Sequence, residues 1–287
     1  MNIGFIGLGN MGFPIMSHIR SSAHKLFVYD ADKKKLNNIK YKDIDICRDT
    51  SDVANNCEIL FTCLPSIDIV EPILIQISNN KNVPKMCIDL SSSDPSETIK
   101  LSQKLNKKNI RFIDAPISGG VKGAINASLT IMVGGSKTDF EFAKPLLELF
   151  GKKISHAGGV GAGQASKCLN NLCSATGLLI AIECINVAKA FGIDQNVFID
   201  ILNSSTGKNN STENKLKQFV ISEKFNSGFN LSLMKKDIIS AWKLANNKNV
   251  PLPLGTKSKE FWSEAVNVLP IESDHTEIIK WLELIKS

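Results

Sequence analysis

Three glycines near the start of the chain restrict the fold more than any other feature of the sequence. A short apolar run at residues 2–6 is followed by Gly7, Gly9 and Gly12, and a helical pattern begins at the last of them. In such a turn the first glycine permits a tight bend, the second lets a diphosphate approach the backbone, and the third allows a helix to pack closely on its strand. An ordinary glycine-rich turn is the alternative interpretation. Because the pattern occupies the first strand-to-helix turn, it favours a dinucleotide-binding domain of the Rossmann type.

The remaining chain divides into an alternating half and a helical half. Short β-rich runs at 3–6, 26–29, 59–64, 86–90, 111–114 and 129–133 are mostly separated by helix-like segments at 12–20, 32–39, 95–107 and 138–150. Such alternation of fully apolar strands with helices is typical of a parallel sheet that is covered on both faces. Beyond about residue 160 only helical patterns follow, at 164–191, 195–202, 231–246, 258–268 and 275–285.

These patterns predict an α/β fold of two domains, which a chain of 287 residues is long enough to form. Residues 1–162 would form a doubly wound parallel sheet of the Rossmann type, and residues 163–287 an all-α domain, with a long helix joining them. The most apolar stretch of that helix, 172–191, is interrupted by polar and charged residues. We therefore expect a buried helix and no membrane partner.

Charge and cysteine usage narrow the class of protein. The 34 Lys and Arg exceed the 28 Asp and Glu by a net charge of +6, but the lysines occur in scattered short groups. Without a basic stripe or arm we expect no nucleic-acid partner. The seven cysteines form no C-x-x-C pair and lie mostly in apolar runs, which indicates a reducing compartment and no metal site. A strand pattern begins at residue 2, so we expect no targeting segment and a cytoplasmic protein.

An acid at the end of the second predicted strand is a candidate cofactor ligand. The glycine pattern is usually followed there by a carboxylate that binds the ribose hydroxyls of NAD and repels the 2′-phosphate of NADP, and Asp30 has this position. The alternative is a turn or helix-capping acid, a role that suits Asp32 equally well. The lysines at 33–35 leave NADP open as the cofactor.

Polar residues after later strands are further candidates. Leu64 and Pro65 follow one strand and Ser92 another, at the edge where doubly wound sheets bind ligands. A serine at 92 or 93 that caps the helix near Pro95 is the alternative.

Two more segments combine polar groups with glycine. Ser118, Gly119 and Gly120 would expose a hydroxyl and consecutive backbone N–H groups, which suit a carboxylate, although a loop that needs glycine torsions explains them equally well. Lys167 and Asn171 follow a glycine-rich stretch and share one face of the predicted long helix. A solvated lysine is the alternative there, but the helix N-terminus would lower the pKa of this amine, which suits proton transfer.

Four stretches in this order resemble the signatures of the β-hydroxyacid dehydrogenase family along the whole chain. They are Gly-Leu-Gly-Asn-Met-Gly at 7–12, Asp-Ala-Pro-Ile-Ser-Gly-Gly at 114–120, the Gly, Lys and Asn positions of 158–171, and Leu-Met-Lys-Lys-Asp at 233–237. The resemblance implies that Lys167 is the general acid/base, that Asn171 is its partner, and that Ser118, Gly119 and Gly120 hold the substrate carboxylate. It implies cofactor contacts from Gly7, Leu8, Gly9, Asn10, Met11, Gly12, Asp30, Leu64, Pro65, Ser92 and Lys236, with Asp237 supporting that last region. The segment after Pro65 is shorter than in the isobutyrate enzymes, so Asp68 receives no role.

The resemblance implies oxidation of a small 3-hydroxy acid by hydride transfer to NAD, with NADP less favoured. An NADPH-dependent reductase of a small semialdehyde, of the succinic, glyoxylate or tartronate type, is one alternative. Another is a non-catalytic dinucleotide-binding interaction protein. The presence of Lys167 and Asn171 argues against the non-catalytic protein, and the lysine argues against an imine reductase. The chain is also short for a 6-phosphogluconate dehydrogenase. The apolar helix at 164–191 indicates a homodimer or homotetramer.

Overall fold

The computed structural model describes residues 1–20, 22 and 24–285, which form a nine-stranded sheet and a set of helices. The strands are β1 (Asn2–Ile6), β2 (Lys25–Tyr29), β3 (Ile44–Ile46), β4 (Ile59–Thr62), β5 (Met86–Asp89), β6 (Arg111–Asp114), β7 (Ile117–Ser118), β8 (Leu129–Gly134) and β9 (Gly151–Gly158). Their order is β3-β2-β1-β4-β5-β6-β8-β7, and β9 pairs with β8. The strands from β3 to β6 are all parallel, in the order that defines a doubly wound dinucleotide-binding sheet.

Helices separate most of these strands along the chain. They are α1 (Gly12–Arg20), α2 (Lys33–Asn37), α3 (Thr50–Asn56), α4 (Ile67–Ile77), α5 (Pro95–Asn106), α6 (Gly120–Ile125) and α7 (Lys137–Leu147). Side chains alternate between the two faces of the sheet, so that Ile3 and Phe5 of β1 enter one apolar cluster while Ile6 enters another. Burial on both faces explains why these strands are apolar at nearly every position.

The chain divides into two units, Met1–Lys167 and Cys168–Ser287. Helix α8 (Ala162–Phe191) begins in the first unit and continues into the second, which is helical. Its other helices are α9 (Gln195–Ser204), α10 (Asn210–Asn214), a π-helix (Leu216–Ile221), α11 (Leu231–Asn247), α12 (Pro253–Val268), a 3-10 helix (His275–Glu277) and α13 (Ile278–Leu284). Leu178, Ile238 and Trp262 are completely buried in the core of this unit. A Rossmann-type sheet followed by helices confirms the predicted fold class.

Two expectations about local structure need correction. The strand at 129–133 was expected in the alternating parallel pattern, but β8 runs antiparallel to both β6 and β7. The N-cap of α5 is Asp94, whose carboxylate accepts hydrogen bonds from Ser96 N and Glu97 N at 2.8 and 3.3 Å. The suggestion that Ser92 or Ser93 caps this helix is therefore wrong, because the acid directly before Pro95 satisfies the free N–H groups of the first turn.

Helix α8 was expected to be a buried helix. Among the described residues it is the one helix long and apolar enough to cross a membrane by length and composition, and half of its most apolar 18-residue window is buried in the structure. Core helices of soluble proteins have the same length and composition, so this property is weak evidence for a membrane span.

Candidate active site

The first strand-to-helix turn leaves room for a diphosphate at one glycine. A Cβ at Gly7 would collide with Cys63 O, and a Cβ at Gly12 would collide with Gly7 O, so both positions require glycine for packing. Gly7 also has a φ of 98°, which side chains rarely adopt. A Cβ at Gly9 meets no atom within 4 Å. The backbone at Gly9 is therefore open to a ligand, and the turn fits the diphosphate of a dinucleotide.

Asp30 braces this turn from the end of β2. The carboxylate is largely buried; one oxygen accepts a 2.6 Å hydrogen bond from Leu8 N, and the other accepts from Asp32 N at 2.8 Å. Lys35 Nζ lies 3.3 Å from Asp30 Oδ2 and compensates its charge. Asp32, the other candidate, caps α2 by accepting from Lys34 N. The two acids thus have different roles, and Asp30 is the one held against the glycine turn.

Hydrogen bonds also join the segments that follow β4 and β5. Thr62 Oγ1 and Ser91 N both donate to Asp89 Oδ1, at 2.8 and 3.1 Å, and Leu64 N donates to Ser91 Oγ at 2.9 Å. Two predicted cofactor-border residues, Leu64 and Ser92, therefore lie on segments that are fixed to each other at the carboxyl edge of the sheet.

The next strand in the sheet anchors the start of α8. Asp114, at the end of β6, is completely buried and accepts hydrogen bonds from Gly161 N at 2.7 Å and Gln164 N at 2.8 Å. Burial raises the pKa of Asp114 to about 6, although these two hydrogen bonds act to lower it. The residues that lead into α8 are thus tied to the carboxyl edge of the sheet.

The Ser118 segment requires its two glycines. Gly119 has a φ of 130° and Gly120 a φ of 63°, and both are exposed, whereas Ser118 is half-buried and pairs with Thr130 in the sheet. The need for glycine torsions is thus a structural fact. It is compatible with a carboxylate site because the same torsions expose successive N–H groups.

Lys167 is a buried lysine, with 8% of its surface exposed, on the second turn of α8. A charged amine is costly to bury, so such a residue in a helix anchored at the sheet edge is a candidate for proton transfer. It belongs to the first unit, as do the glycine turn, Asp30 and the Ser118 segment.

Asn171 and Lys236 belong to the second unit. Asn171 is buried and its Nδ2 donates a 2.6 Å hydrogen bond to Asp237 Oδ2 on α11. Lys236 Nζ lies 3.8 Å from the other oxygen of Asp237. Asp237 therefore brings together two residues that the sequence patterns had assigned to separate signatures.

Several residues of these networks were not predicted. The side chains of Asp89, Ser91 and Gln164 received no role in the sequence analysis, and Asp114 appeared only as the first residue of a signature. Each of them hydrogen-bonds across the carboxyl edge of the sheet. Their position beside strand ends and helix starts was the available indication.

Comparisons with known proteins agree with this architecture. The protein-family model described as the NAD binding domain of 6-phosphogluconate dehydrogenase matches residues 2–159 of this chain. The model described as NAD-binding of NADP-dependent 3-hydroxyisobutyrate dehydrogenase matches residues 161–282.

Named relatives cover most of the chain. The mitochondrial 3-hydroxyisobutyrate dehydrogenase of Drosophila melanogaster is 38% identical over 262 residues, which are 89% of this chain and 81% of that protein. The 2-(hydroxymethyl)glutarate dehydrogenase of Eubacterium barkeri is 34% identical, over 88% of this chain and 85% of that protein. The structure of Mycobacterium tuberculosis 3-hydroxyisobutyrate dehydrogenase with L-serine is similar with a TM-score of 0.90 and 25% identity, over 98% of both chains.

The doubly wound dinucleotide-binding sheet with its open glycine turn, the two family models and the dehydrogenase relatives together identify an NAD(P)-dependent hydroxyacid dehydrogenase. With the relatives named above, the chain belongs to the β-hydroxyacid dehydrogenase family.

Proposed function

We propose that this enzyme oxidises a small 3-hydroxy acid of the 3-hydroxyisobutyrate type with NAD, and that Lys167 is its general acid/base. The observation that carries the proposal is the burial of the Lys167 residue on a helix whose start is hydrogen-bonded to Asp114 at the sheet edge. A proton-transfer group needs both a fixed position and shelter from bulk water, and a buried residue on an anchored helix supports this role for Lys167.

Several residues would hold the cofactor. The open backbone at Gly9 and the N-terminus of α1 suit its diphosphate, and Asp30 would accept hydrogen bonds from ribose hydroxyls. Leu8, Asn10 and Met11 complete the glycine turn. Leu64, Pro65 and Ser92 would border the cofactor from the neighbouring strand ends, and Lys236 would be a further cofactor ligand.

Oxidation of a carbinol removes a hydride from carbon and a proton from the hydroxyl oxygen. A bound nicotinamide ring supplies the acceptor for the hydride. Lys167, as the neutral amine, would take the proton and become the ammonium ion. Asn171 follows on the same helix face and would orient the substrate hydroxyl, while its hydrogen bond to Asp237 fixes its amide.

The substrate class follows from what the relatives' names share. 3-Hydroxyisobutyrate, 2-(hydroxymethyl)glutarate and L-serine each contain a hydroxymethyl group on the carbon that bears a carboxylate. We extend this common unit to the present enzyme. The Ser118 hydroxyl and the N–H groups of Gly119 and Gly120 would bind the carboxylate.

The preference for NAD rests on Asp30. Its carboxylate would repel a 2′-phosphate, and its hydrogen bond to Leu8 N holds it beside the glycine turn. Lys35 favours the second candidate function, an NADPH-dependent semialdehyde reductase, because its amine at 3.3 Å partly compensates Asp30 and is suited to a phosphate.

Association of subunits is proposed from one face of α8. Its large apolar side chains Leu169, Ile180, Val187 and Phe191 are exposed, and their spacing places them along one side of the helix. Val187 and Phe191 are 70% and 84% exposed. A second copy of the chain would cover this face in a homodimer or homotetramer.

The proposed function is tested with a panel of 3-hydroxy acids that differ in the group on the carboxylate-bearing carbon, each assayed with NAD and NADP. The reverse reaction, reduction of a semialdehyde, is assayed with NADH and with NADPH. The highest kcat/KM is expected for a 3-hydroxy acid with NAD. A highest value for a semialdehyde with NADPH would establish the second candidate, and dinucleotide binding without any turnover would indicate an interaction protein.

A further inference from the structure

Gln164 links two segments of the first unit through both ends of its side-chain amide. It lies on the first turn of α8 and is completely buried. Its Nε2 donates a 2.7 Å hydrogen bond to Ser91 O, and its Oε1 accepts one of 2.9 Å from Ser93 N. The two bonds bracket Ser92, the residue placed at the cofactor border.

The chemistry of these bonds requires an amide. Ser91 O can only accept a hydrogen bond and Ser93 N–H can only donate one, so the bridging group needs a donor and an acceptor side by side. A carboxylate would place a negative oxygen against Ser91 O, and an apolar side chain would leave two buried backbone groups unpaired. This pairing also fixes which end of the Gln164 amide is nitrogen.

The bridge acts on the helix turn that directly precedes the lysine. Gln164 and Lys167 are three residues apart, so they are neighbours on adjacent turns of one helix face. The backbone N–H of Gln164 is already held by Asp114. Asp114 therefore fixes the start of the helix to β6, and the Gln164 side chain fixes the same turn to the segment after β5.

The link continues beyond the serine segment. Ser91 Oγ accepts from Leu64 N, so the segment after β4 is connected through Ser91 to Gln164. Two segments assigned to the cofactor border and the turn before Lys167 thus share one hydrogen-bond network whose members all lie in the first unit.

We propose that Gln164 is a positioning residue, which sets the distance between the Ser91–Ser93 segment and the first turn of α8, directly before Lys167. The inference rests on the proposed function, since it gives the two segments their roles at the cofactor and at the hydroxyl proton. Simultaneous transfer of hydride and proton needs both groups aligned on one substrate, and a misplacement of about 1 Å can cost about 100-fold in rate.

Two variants separate positioning from simple loss of stability. Gln164→Met keeps the approximate volume and removes both hydrogen bonds. It is expected to lower kcat about 10- to 100-fold, while the Kd for NAD, measured by fluorescence titration of the protein without substrate, changes less than about 3-fold. Exchange of the Ser93 amide hydrogen should accelerate. Ile77→Val, in the core beneath the same sheet, provides a control with reduced thermal stability and an intact network.

Gln164→Glu gives a signature that a purely structural role would not produce. The protonated carboxyl can donate to Ser91 O and accept from Ser93 N, whereas the ionised form cannot. The ratio of its kcat to that of the native enzyme should therefore rise as the pH falls from 8.5 towards 6.

The outcomes distinguish this inference from the proposed function. The positioning role alone would be overturned if the native enzyme oxidises a 3-hydroxy acid and Gln164→Met does so with the same kcat. It would also be overturned if the ratio of kcat in Gln164→Glu to kcat in the native enzyme did not change with pH. A loss of rate in Ile77→Val equal to that in Gln164→Met would also overturn it. Absence of any hydroxy-acid turnover by the native enzyme would remove the proposed function and this inference with it.

Discussion

Asp89 and Asp114 are register partners on the neighbouring parallel strands β5 and β6, and both side chains are completely buried. Burial is the main reason that the pKa of Asp114 is raised to about 6, and the nearby charge of Asp89 adds to the rise. The residues leading into α8 are therefore held by an acid that titrates close to neutral pH.

This arrangement predicts a pH dependence of stability. The pKa of Asp114 is higher in the folded chain than its value of about 3.9 in an unfolded one, so the folded chain binds the carboxyl proton more tightly. Protonation of Asp114 therefore stabilises the fold; this contribution is complete below about pH 4 and is lost as the pH rises through 6. The free energy of unfolding of the native enzyme relative to Asp114→Asn should fall by about 2 kcal/mol between pH 4.5 and 7.5. Urea unfolding at several pH values measures this difference, and parallel curves for the two proteins would contradict the assignment.

Cofactor choice should follow Asp30. The native enzyme is expected to use NAD at least about 10-fold better than NADP in kcat/KM, because a carboxylate beside the 2′-phosphate is a like-charge contact. Asp30→Asn should lower the ratio of kcat/KM for NAD to that for NADP. Lys35→Ala should raise this ratio by removing the cation that compensates the charge of Asp30. Equal or better use of NADP by the native enzyme would instead assign Lys33–Lys35 to the phosphate.

Substrate binding should depend on the carboxylate. Ser118→Ala is expected to raise KM about 10-fold, which is the size of one lost hydrogen bond to a charged group. A matching alcohol without the carboxylate should be a very poor substrate, since the N–H groups of Gly119 and Gly120 would remain unpaired. Steady-state kinetics on both substrates measures the effect, with Ser222→Ala on the second unit as the control. Comparable turnover of the plain alcohol would show that this segment does not bind substrate.

Assembly should depend on the exposed face of α8. Val187→Glu places a charge among the exposed apolar side chains of that face and should yield a species near the chain mass of 31.4 kDa in sedimentation. The native protein should sediment at two or four times that mass. Val250→Glu, the same change at an exposed valine between α11 and α12, should leave the assembly unchanged. A native mass of one chain would contradict the proposed oligomer.

The sequence was sufficient for the parts of the fold whose physical signature is local. The buried strands β1, β4 and β5 are apolar runs that end at glycine or polar residues, and the glycine turn follows the first of them. The sequence patterns predicted all of these features. Strand β9 was missed because its Gly-Lys-Lys-Ile-Ser-His-Ala-Gly sequence is largely exposed. Helix α4 was missed because it contains Pro72 and is apolar at most positions, so its helical period is weak.

The candidate site was predictable as a set of residues and not as a set of contacts. Lys167 and Asn171 lie in one recognisable signature, and Asp30 ends the strand that follows the glycine pattern, so their residue types and spacing were visible. The hydrogen bonds of Gln164 to Ser91 and of Asn171 to Asp237 join residues 73 and 66 positions apart. Such pairings depend on how strands and helices pack, which no local pattern encodes.

The central claim is tested most directly by single-turnover oxidation of a 3-hydroxy acid in native enzyme and Lys167→Ala, with NAD binding measured separately. Removal of a general base typically lowers the rate about 10²- to 10⁴-fold, so a loss of this size is expected with an unchanged Kd for NAD and an unchanged thermal transition. Lys100→Ala, an exposed lysine on α5, should behave as the native enzyme. A rate in Lys167→Ala within about 3-fold of the native value would contradict the account, because the buried lysine would then have no part in proton transfer.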